Sequence, residues 1–335
     1  MRPGRSRCKR SGCVNACAIE TVLGPISPWD LGFCHAHEHL FIAAGYCETV
    51  VPSLRIDDYR LTVEELKRYH AAGGMSLVDA QPVGCGRMAH YLVPASIETR
   101  VNIIASTGFH KLEFYPPRHW IHSSSQDELT ELFISELTQG MYLDGDHAWP
   151  SQRLAARAGV IKVAVGAEGP TKEHIRLLEA AAAAGRATSV PLLCHIEPGK
   201  GAIELVEFLA TKGVPKESII ICHLDRVADV ALSKEVASKG VYLEYDTIGR
   251  VKYHSDEDEV NLIRSMVDAG FEDQLLLGLD TTRERLASYG GSIGLDYLKT
   301  RFIPKLLGGG LSAECVEKMT VANPAAAFAR YDTTT

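Results

Sequence analysis

The stretch Phe33-Cys34-His35-Ala36-His37-Glu38-His39-Leu40 carries a histidine at every second position of an otherwise mainly apolar run. Successive side chains of an extended strand point to opposite faces, so His35, His37 and His39 are expected to share one face. Three buried imidazoles on one face need a cation or several polar partners. The stretch therefore predicts that a strand begins a metal site, which distant parts of the chain must complete.

Seven more apolar runs follow this strand and alternate with amphipathic helical patterns. The eight predicted strands are 33–40, 75–83, 101–109, 159–166, 190–196, 218–224, 240–247 and 274–281. Nearly continuous Val, Ile and Leu is typical of parallel strands buried on both faces. Eight such units predict an α/β fold of the (β/α)8 TIM-barrel type, and no glycine-rich phosphate loop supports a doubly wound sheet.

Two local signals refine the prediction of the barrel. A Gly24-Pro25 turn between short apolar runs predicts a small N-terminal hairpin before the first barrel strand. Thr62 followed by Glu65 has the spacing of a helix capping box. Residues 1–17 form a basic leader that we expect to be disordered, and residues 18–335 are expected to form a single barrel domain.

Composition excludes several classes of partner. A net charge of −7 argues against nucleic-acid binding, and no apolar run is long enough to span a membrane. Cys34, Cys194 and Cys222 lie inside predicted strands, which indicates buried, reduced thiols and a cytoplasmic location. We therefore expect a small-molecule substrate, with no nucleic-acid and no membrane partner.

Ligand-type residues recur where the predicted strands end, which is where the active site of a barrel forms. They are His37 and His39 on the first strand, Lys162 on the fourth, His195 on the fifth, His223 on the sixth and Asp280 on the eighth. Taken alone, each later histidine fits a core position as well. Their joint placement predicts a metal site, and its nitrogen content favours zinc, manganese, cobalt or iron over calcium or magnesium.

Lys162 is the candidate for a ligand shared between two ions. Burial disfavours the charged form of a lysine, and a neutral amine can react with carbon dioxide to form a bridging carbamate. Two alternatives remain open from the sequence. The lysine could pair with an acid, or it could form a Schiff base as in barrel aldolases.

These motifs together resemble one known family. His37-Glu38-His39-Leu40, the run Ala158 to Lys162, His195, His223, Asp280 and the pair Asn323-Pro324 occur in the order found in the phosphotriesterase-related branch of the amidohydrolase superfamily. The similarity begins near residue 18. His35 is extra to the family pattern and is expected in the core or behind the ligands.

The resemblance implies a binuclear metal centre and a hydrolytic mechanism. His37, His39 and Asp280 would hold one ion and His195 and His223 the other, with N6-carboxylated Lys162 and a hydroxide bridging two divalent ions, zinc first among the candidates. The hydroxide would attack the substrate, and Asp280 would act as the catalytic residue that takes its proton and passes it to the leaving oxygen. Relatives are often dimers, which implies a homodimer by analogy.

The loops after the last two strands predict the substrate class. Arg250, Lys252, Arg283 and Arg285 would converge on an anionic group there, with Tyr115 contributed by an aromatic loop in residues 108–158. Solvated loop charges and simple packing of the aromatic residues are the alternatives. The predicted activity is lactonase action on a small anionic, phosphorylated sugar lactone. A phosphotriesterase, an N-acyl-homoserine lactone lactonase and a catalytically silent ligand-binding relative are the rival functions.

Overall fold

The computed structural model describes residues 18–198 and 201–330, and the predicted leader at 1–17 lies outside this part of the chain. A two-stranded antiparallel hairpin, β1 (Ile19–Thr21) and β2 (Gly24–Ile26), precedes an eight-stranded parallel sheet. The barrel strands are β3 (Cys34–Glu38), β4 (Ser76–Asp79), β5 (Asn102–Gly108), β6 (Val160–Ala164), β7 (Leu192–His195), β8 (Ile219–Cys222), β9 (Tyr242–Tyr245) and β10 (Leu275–Leu277).

Each barrel strand pairs in parallel with the next one along the chain, from β3 to β10. The ring closes just beyond β10, where the Asp280 amide donates to the His37 carbonyl at 3.1 Å. All eight strands lie within the eight predicted runs. The predicted TIM barrel and its N-terminal hairpin are therefore confirmed.

Helices form the outer layer of the barrel and its C-terminal extension. The α-helices are α1 (Tyr46–Val50), α2 (Tyr59–Ala71), α3 (Ala89–Thr99), α4 (Gln126–Thr138), α5 (Lys172–Thr188), α6 (Gly201–Thr211), α7 (Val230–Ser238), α8 (Asp256–Asp268), α9 (Ile303–Gly308), α10 (Ala313–Glu317) and α11 (Asn323–Ala327). Two π-helical segments, Leu298–Phe302 and Lys318–Ala322, precede α9 and α11. Across the described ranges, no helix has the length and apolar character that crossing a lipid bilayer requires.

The predicted capping box at Thr62 is wrong, because α2 begins three residues earlier. Asp58 caps this helix by accepting hydrogen bonds from the amides of Arg60 and Leu61. Thr62 instead donates to the Leu40 carbonyl, and the buried Glu65 accepts from the amide of Leu295 at 2.8 Å. Both side chains fasten the helix to neighbouring segments and do not cap it.

The amino-terminal half of the barrel interior is apolar. Its side chains come from alternate positions of the strands, among them Cys34, Val78, Ile104, Val160, Leu193, Ile220 and Leu276, all fully buried. The hairpin covers this end, where the Val22 amide donates to the Ile103 carbonyl at 2.9 Å. This arrangement leaves the opposite, carboxyl-terminal end for the polar residues.

The long connection between β5 and β6 folds back onto the protein. Phe109, Tyr115 and Trp120 are all buried, and the Trp120 indole donates to the Gly145 carbonyl at 2.7 Å. The Tyr115 hydroxyl accepts a hydrogen bond from the His110 amide at 2.9 Å. Packing within the loop therefore accounts for these aromatic residues.

Candidate metal centre

A β-bulge in β3 decides which histidines face the barrel interior. His35 pairs with Leu77 and Glu38 pairs with Asp79, so β3 holds one residue more than β4 over this interval. The His35 ring consequently packs 4.6 Å from the Tyr69 ring of α2, in the outer layer. His37 points inward, with Nε2 3.1 Å from Lys162 Nζ. The expectation that all three histidines share a face is wrong for His35, because the bulge breaks the alternation.

Glu38 fastens the first barrel strand to the segment after the last one. Its carboxylate accepts hydrogen bonds from the Leu279 amide at 3.1 Å, the Thr281 amide at 3.2 Å and the Thr281 hydroxyl at 2.6 Å. Gly278 allows this close approach, because a Cβ there would lie 3.0 Å from the main chain of His37. These hydrogen bonds of Glu38 form the seam of the barrel, and they place Asp280 beside His37.

Two of the predicted ligands have an unusual backbone conformation. His223 has φ 65° and Asp280 has φ 45°, both in the left-handed region that non-glycine residues seldom occupy. Such a residue costs about 1–2 kcal/mol, so its persistence requires support from the surrounding structure. His223 directly follows β8 and Asp280 lies three residues beyond β10, and the left-handed turn aims their side chains over the end of the barrel.

The six predicted ligands meet in one continuous cluster. Asp280 Oδ1 lies 3.4 Å from His39 Nε2 and 3.9 Å from His37 Nε2, so these three residues could share one ion. The His223 ring centroid lies 4.8 Å from that of His37 and 4.4 Å from that of His195. Lys162 lies against His37 in the same cluster. Its six residues come from β3, β6, β7, β8 and β10 or from the residues that follow these strands.

Carboxylates that the sequence analysis missed lie behind the imidazoles; Glu244 and Asp246 are fully buried, and Glu197 is partly exposed. Glu244 lies 3.0 Å from His37 Nδ1, Asp246 lies 2.7 Å from His223 Nδ1, and Glu197 lies 3.1 Å from His195 Nε2. Each carboxylate fixes one ring nitrogen as a donor and leaves the other nitrogen for an ion. The acidic alternation of Tyr242-Leu-Glu-Tyr-Asp246 in a buried strand was the signal that could have revealed two of them.

The protonation states of the histidines are suited to binding a metal cation. Burial lowers the pKa of His37 and of His223 well below the usual range, and it lowers the pKa of His195 to about 4. The imidazoles are therefore neutral near neutral pH, as ligation requires. His39 adds a buried Nδ1 without a hydrogen-bond partner in the structure. Neutral nitrogens and a carboxylate that converge in a buried site match the donors that zinc and similar metals prefer.

A second set of possible donors overlaps with the first. His37, His223, Glu244 and Asp246 also lie close enough to share an ion. Their facing atoms are already joined by the hydrogen bonds given above, and burial raises the pKa values of both carboxyl groups. We therefore assign Glu244 and Asp246 to the support of the histidines.

Two arginines hold the outer oxygen of Asp280. Arg250 donates to Asp280 Oδ2 at 2.7 Å, and Arg226 donates to the same atom at 3.4 Å. Burial would raise the pKa of Asp280, but Arg250 and His39 outweigh it and keep that pKa well below the usual range. Asp280 is thus ionised, with Oδ1 turned towards the histidines. Arg226, three residues after His223, was not singled out from the sequence.

The five predicted substrate-binding residues occupy different environments. Arg250 binds Asp280, while Lys252 and Arg283 are exposed on neighbouring loops. Arg285 is buried and donates to the carbonyls of Leu279, Asp280 and Ile248, so contact with a substrate would require breaking those bonds. Tyr115 is buried in the aromatic loop. Direct binding by any of the five stays a prediction.

A cationic rim surrounds the exposed edge of the cluster. Tyr253 is its centre, with Arg226, Arg250 and Lys252 placing their charged groups 5.4, 6.0 and 4.9 Å from its ring centroid. Lys111 adds a further positive charge, and its Nζ lies 3.0 Å from Glu197. Cation–π contacts hold such groups together despite their mutual repulsion. The rim is suited to an anionic ligand.

A large surface cavity lies at the other end of the barrel. It measures about 1050 Å³ and is lined by Trp29, Tyr242, Ala325 and Ala329 among others. None of the predicted ligands lines it, as far as the described residues go. Size alone therefore does not locate the chemistry of this molecule.

Comparison with known proteins agrees with this geometry. Residues 17–328 match the model of the phosphotriesterase family. A phospho-furanose lactonase of Mycoplasmopsis synoviae is 32% identical over 321 residues, covering 91% of this chain and 89% of that protein. An N-acetyltaurine hydrolase of Xenopus tropicalis is 29% identical over 356 residues, covering 91% and 96%. The crystal structure of an amidohydrolase from Mycoplasma synoviae superposes with a TM-score of 0.91 at 28% identity, covering 96% and 94%.

Proposed function

Because the chain belongs to the phosphotriesterase family of metal-dependent ester hydrolases, we propose that it is a binuclear lactonase for a small phosphorylated sugar lactone. The observation that carries this proposal is the meeting of His37, His39 and Asp280 beside Lys162, beneath a cationic rim. The similarity to a phospho-furanose lactonase supports the substrate class.

Each predicted ligand has a place in the proposed centre. His37, His39 and Asp280 would hold one ion, and His195 and His223 would hold the second. Lys162 would lie between them as a carbamate, which forms when the neutral amine adds to carbon dioxide and loses a proton. When bound, the ions supply a Lewis acid for the carbonyl oxygen and make a water molecule more acidic.

The protein groups orient the reaction around that centre. Asp280 accepts the proton of the attacking water at Oδ1 and returns it to the ring oxygen that leaves as the lactone opens. Arg250 and Arg226 hold Oδ2, which keeps Oδ1 turned towards the histidines of the proposed centre. Glu244 and Asp246 hold the imidazoles of His37 and His223 in the tautomer that a ligand needs.

The cationic rim would select the substrate. A phosphate monoester carries a charge that a guanidinium fork and an ammonium group bind well. Lys252 of the rim and Arg283 of the adjacent loop are both exposed, so they are available to bind the phosphate group. Neutral, long-chain lactones would lack the charge that the rim is suited to bind.

A substrate panel tests the proposed specificity. We expect a phosphorylated sugar lactone to have the highest kcat/KM, and Lys252→Ala to lower that value about 10–100-fold, as loss of a charged hydrogen bond does. Lys216→Ala, an exposed lysine at the other end of the barrel, is the matched control and should change nothing. Turnover of neutral long-chain lactones equal to that of the phosphorylated lactone, with Lys252→Ala or Arg283→Ala harmless, would contradict the proposal and favour the homoserine-lactone alternative.

A second candidate is hydrolysis of a small anionic amide, which the similarity to an N-acetyltaurine hydrolase favours. A sulfonate would suit the same cationic rim. N-acetyltaurine therefore belongs in the panel, together with a neutral phosphotriester. The relative kcat/KM values decide between these activities, because trace turnover of a poor substrate does not.

Metal analysis separates an enzyme from a silent relative. We expect about two equivalents of metal per chain, loss of activity with a chelator and recovery on adding zinc. In labelled bicarbonate, the protein should show a carbamate carbon signal that Lys162→Arg lacks. Less than one equivalent of metal after reconstitution would favour a ligand-binding protein. The homodimer and the cytoplasmic location predicted from the sequence stay predictions.

A further inference from the structure

Two buried cysteines that the proposed reaction does not use lie together near the mouth of the barrel. Cys47 belongs to α1, which follows the first barrel strand, and Cys85 follows the second. Both are free thiols with 2% and 3% of their surface exposed. Both line the same small pocket, where the two thiols interact although 38 positions separate them in the sequence.

The main chain holds the two segments in a fixed register. Ile42 pairs with Arg87 in an isolated bridge, and the Ala43 amide donates to the Gly86 carbonyl at 2.8 Å. The Gly86 amide in turn donates to Asp146 Oδ1 at 2.8 Å. These contacts follow Cys85 and precede Cys47 in the sequence, so the main chain holds the two cysteine-bearing segments side by side.

A small pocket gives a reagent access to both thiols. It measures about 40 Å³ and is lined by Cys47, Cys85, Asp146 and His147, with Phe114 and Pro116 from the long loop. Such a space admits a molecule little larger than water and excludes bulky thiol reagents. The thiols also differ in acidity, since the interaction between them lowers the pKa of Cys47 and raises the pKa of Cys85 well above its usual value. Cys47 is consequently the better nucleophile of the two.

We propose that Cys47 and Cys85 form an oxidation site that a small peroxide converts into a disulfide joining the first two loops of the barrel mouth. The Cys47 sulfur attacks one peroxide oxygen, the O–O bond breaks, and Cys47 becomes a sulfenic acid as one water leaves. Cys85 then loses its proton and attacks the Cys47 sulfur. The S–S bond forms, the S–O bond breaks, and a second water leaves, so peroxide is reduced as two thiols are oxidised.

The test treats the reduced full-length protein with hydrogen peroxide, blocks the remaining thiols and measures the intact mass. We expect a loss of two hydrogens, reversed by dithiothreitol, together with a rise in Tm, because the cross-link closes a long loop. Trypsin followed by chymotrypsin separates the two cysteines from the others by cutting at Tyr46, Arg55, Tyr69 and Arg87. The joined peptides identify the linkage without any variant.

Variants assign the order of the steps. Cys85→Ser should accumulate sulfenic and then sulfinic acid at Cys47 and should gain no stability from peroxide. Cys315→Ser removes a different buried thiol and should leave the cross-link intact. Oxidation of wild-type Cys47 to sulfinic acid without a joined peptide would overturn the proposal, as would a cross-link that survives Cys47→Ser.

Discussion

The two ends of the barrel interior differ in what their side chains do for the fold. At the amino-terminal end, Ile104, Val160 and Ile220 are apolar, fully buried and part of one hydrophobic cluster. At the carboxyl-terminal end, the buried side chains are imidazoles, carboxylates and a lysine, several of them with unpartnered atoms such as His39 Nδ1 and Glu244 Oε1. One end stabilises the ring, whereas the other holds groups that folding alone would not favour.

Substitution of Asp280, at the carboxyl-terminal end, should give the largest difference between the effect on activity and the effect on stability. Asp280→Asn removes the proposed proton acceptor and a metal ligand, so we expect kcat/KM to fall about 10³-fold or more. Tm should fall modestly, because the buried Arg250 and Arg226 lose their charged partner, although Asn can still accept a hydrogen bond from Arg250. Asp273→Asn, an acid near the amino-terminal end, serves as the control and should keep full activity. A large loss of stability in Asp280→Asn would show that the carboxyl-terminal end also supports the fold.

The opposite pattern is expected at the amino-terminal end. Ile104→Ala creates a cavity in the apolar interior and should lower the free energy of unfolding by about 2–5 kcal/mol. Because β5 carries none of the six predicted ligands, kcat per folded molecule should not change. Urea unfolding and steady-state kinetics on the same preparation measure both quantities, and a parallel loss of kcat would mean that the two ends are coupled.

The supporting carboxylates should give an intermediate effect. Glu244→Gln retains the size of the side chain but weakens its hold on His37, so metal affinity should fall about 10–100-fold. Competition with a chromogenic chelator measures this without reference to turnover. Unchanged affinity would show that the His37 orientation is set by the bulge and the seam alone.

The smallest effect is expected at Asp79, a buried acid at the end of β4. Burial raises its pKa from 3.8 to about 6, so the folded state binds the proton more tightly than the unfolded state does. Its contribution to stability is therefore most favourable below the unfolded pKa and declines as pH rises through the folded one. Asp79→Asn avoids this loss and can still accept from the Leu40 amide. We expect a gain of about 2 kcal/mol near pH 8 and a smaller one near pH 5, measured by urea unfolding.

The comparison also shows what a sequence can reveal. The apolar runs predicted the position of every barrel strand. The ends of those strands pointed to His195, His223 and Asp280, because a barrel places all of these ends on one face. The bulge was not predictable, since one extra residue leaves the apolar character of β3 unchanged. Glu244 and Asp246 could have been found from their spacing. The contact between Cys47 and Cys85 depends on how two loops pack, which no local pattern encodes.

The hydrogen bonds of the Glu38 seam determine how late in synthesis the barrel can close. Its partners at Leu279 and Thr281 are separated from it by 241 and 243 positions, so β3 has an open edge until almost the whole chain has left the ribosome. An unpaired strand edge is prone to aggregation. A chain that stops short of residue 279 would lack the partner strand segment and the Asp280 carboxylate together. Incomplete chains should therefore be insoluble as well as inactive, and they should depend on chaperones for as long as that edge stays open.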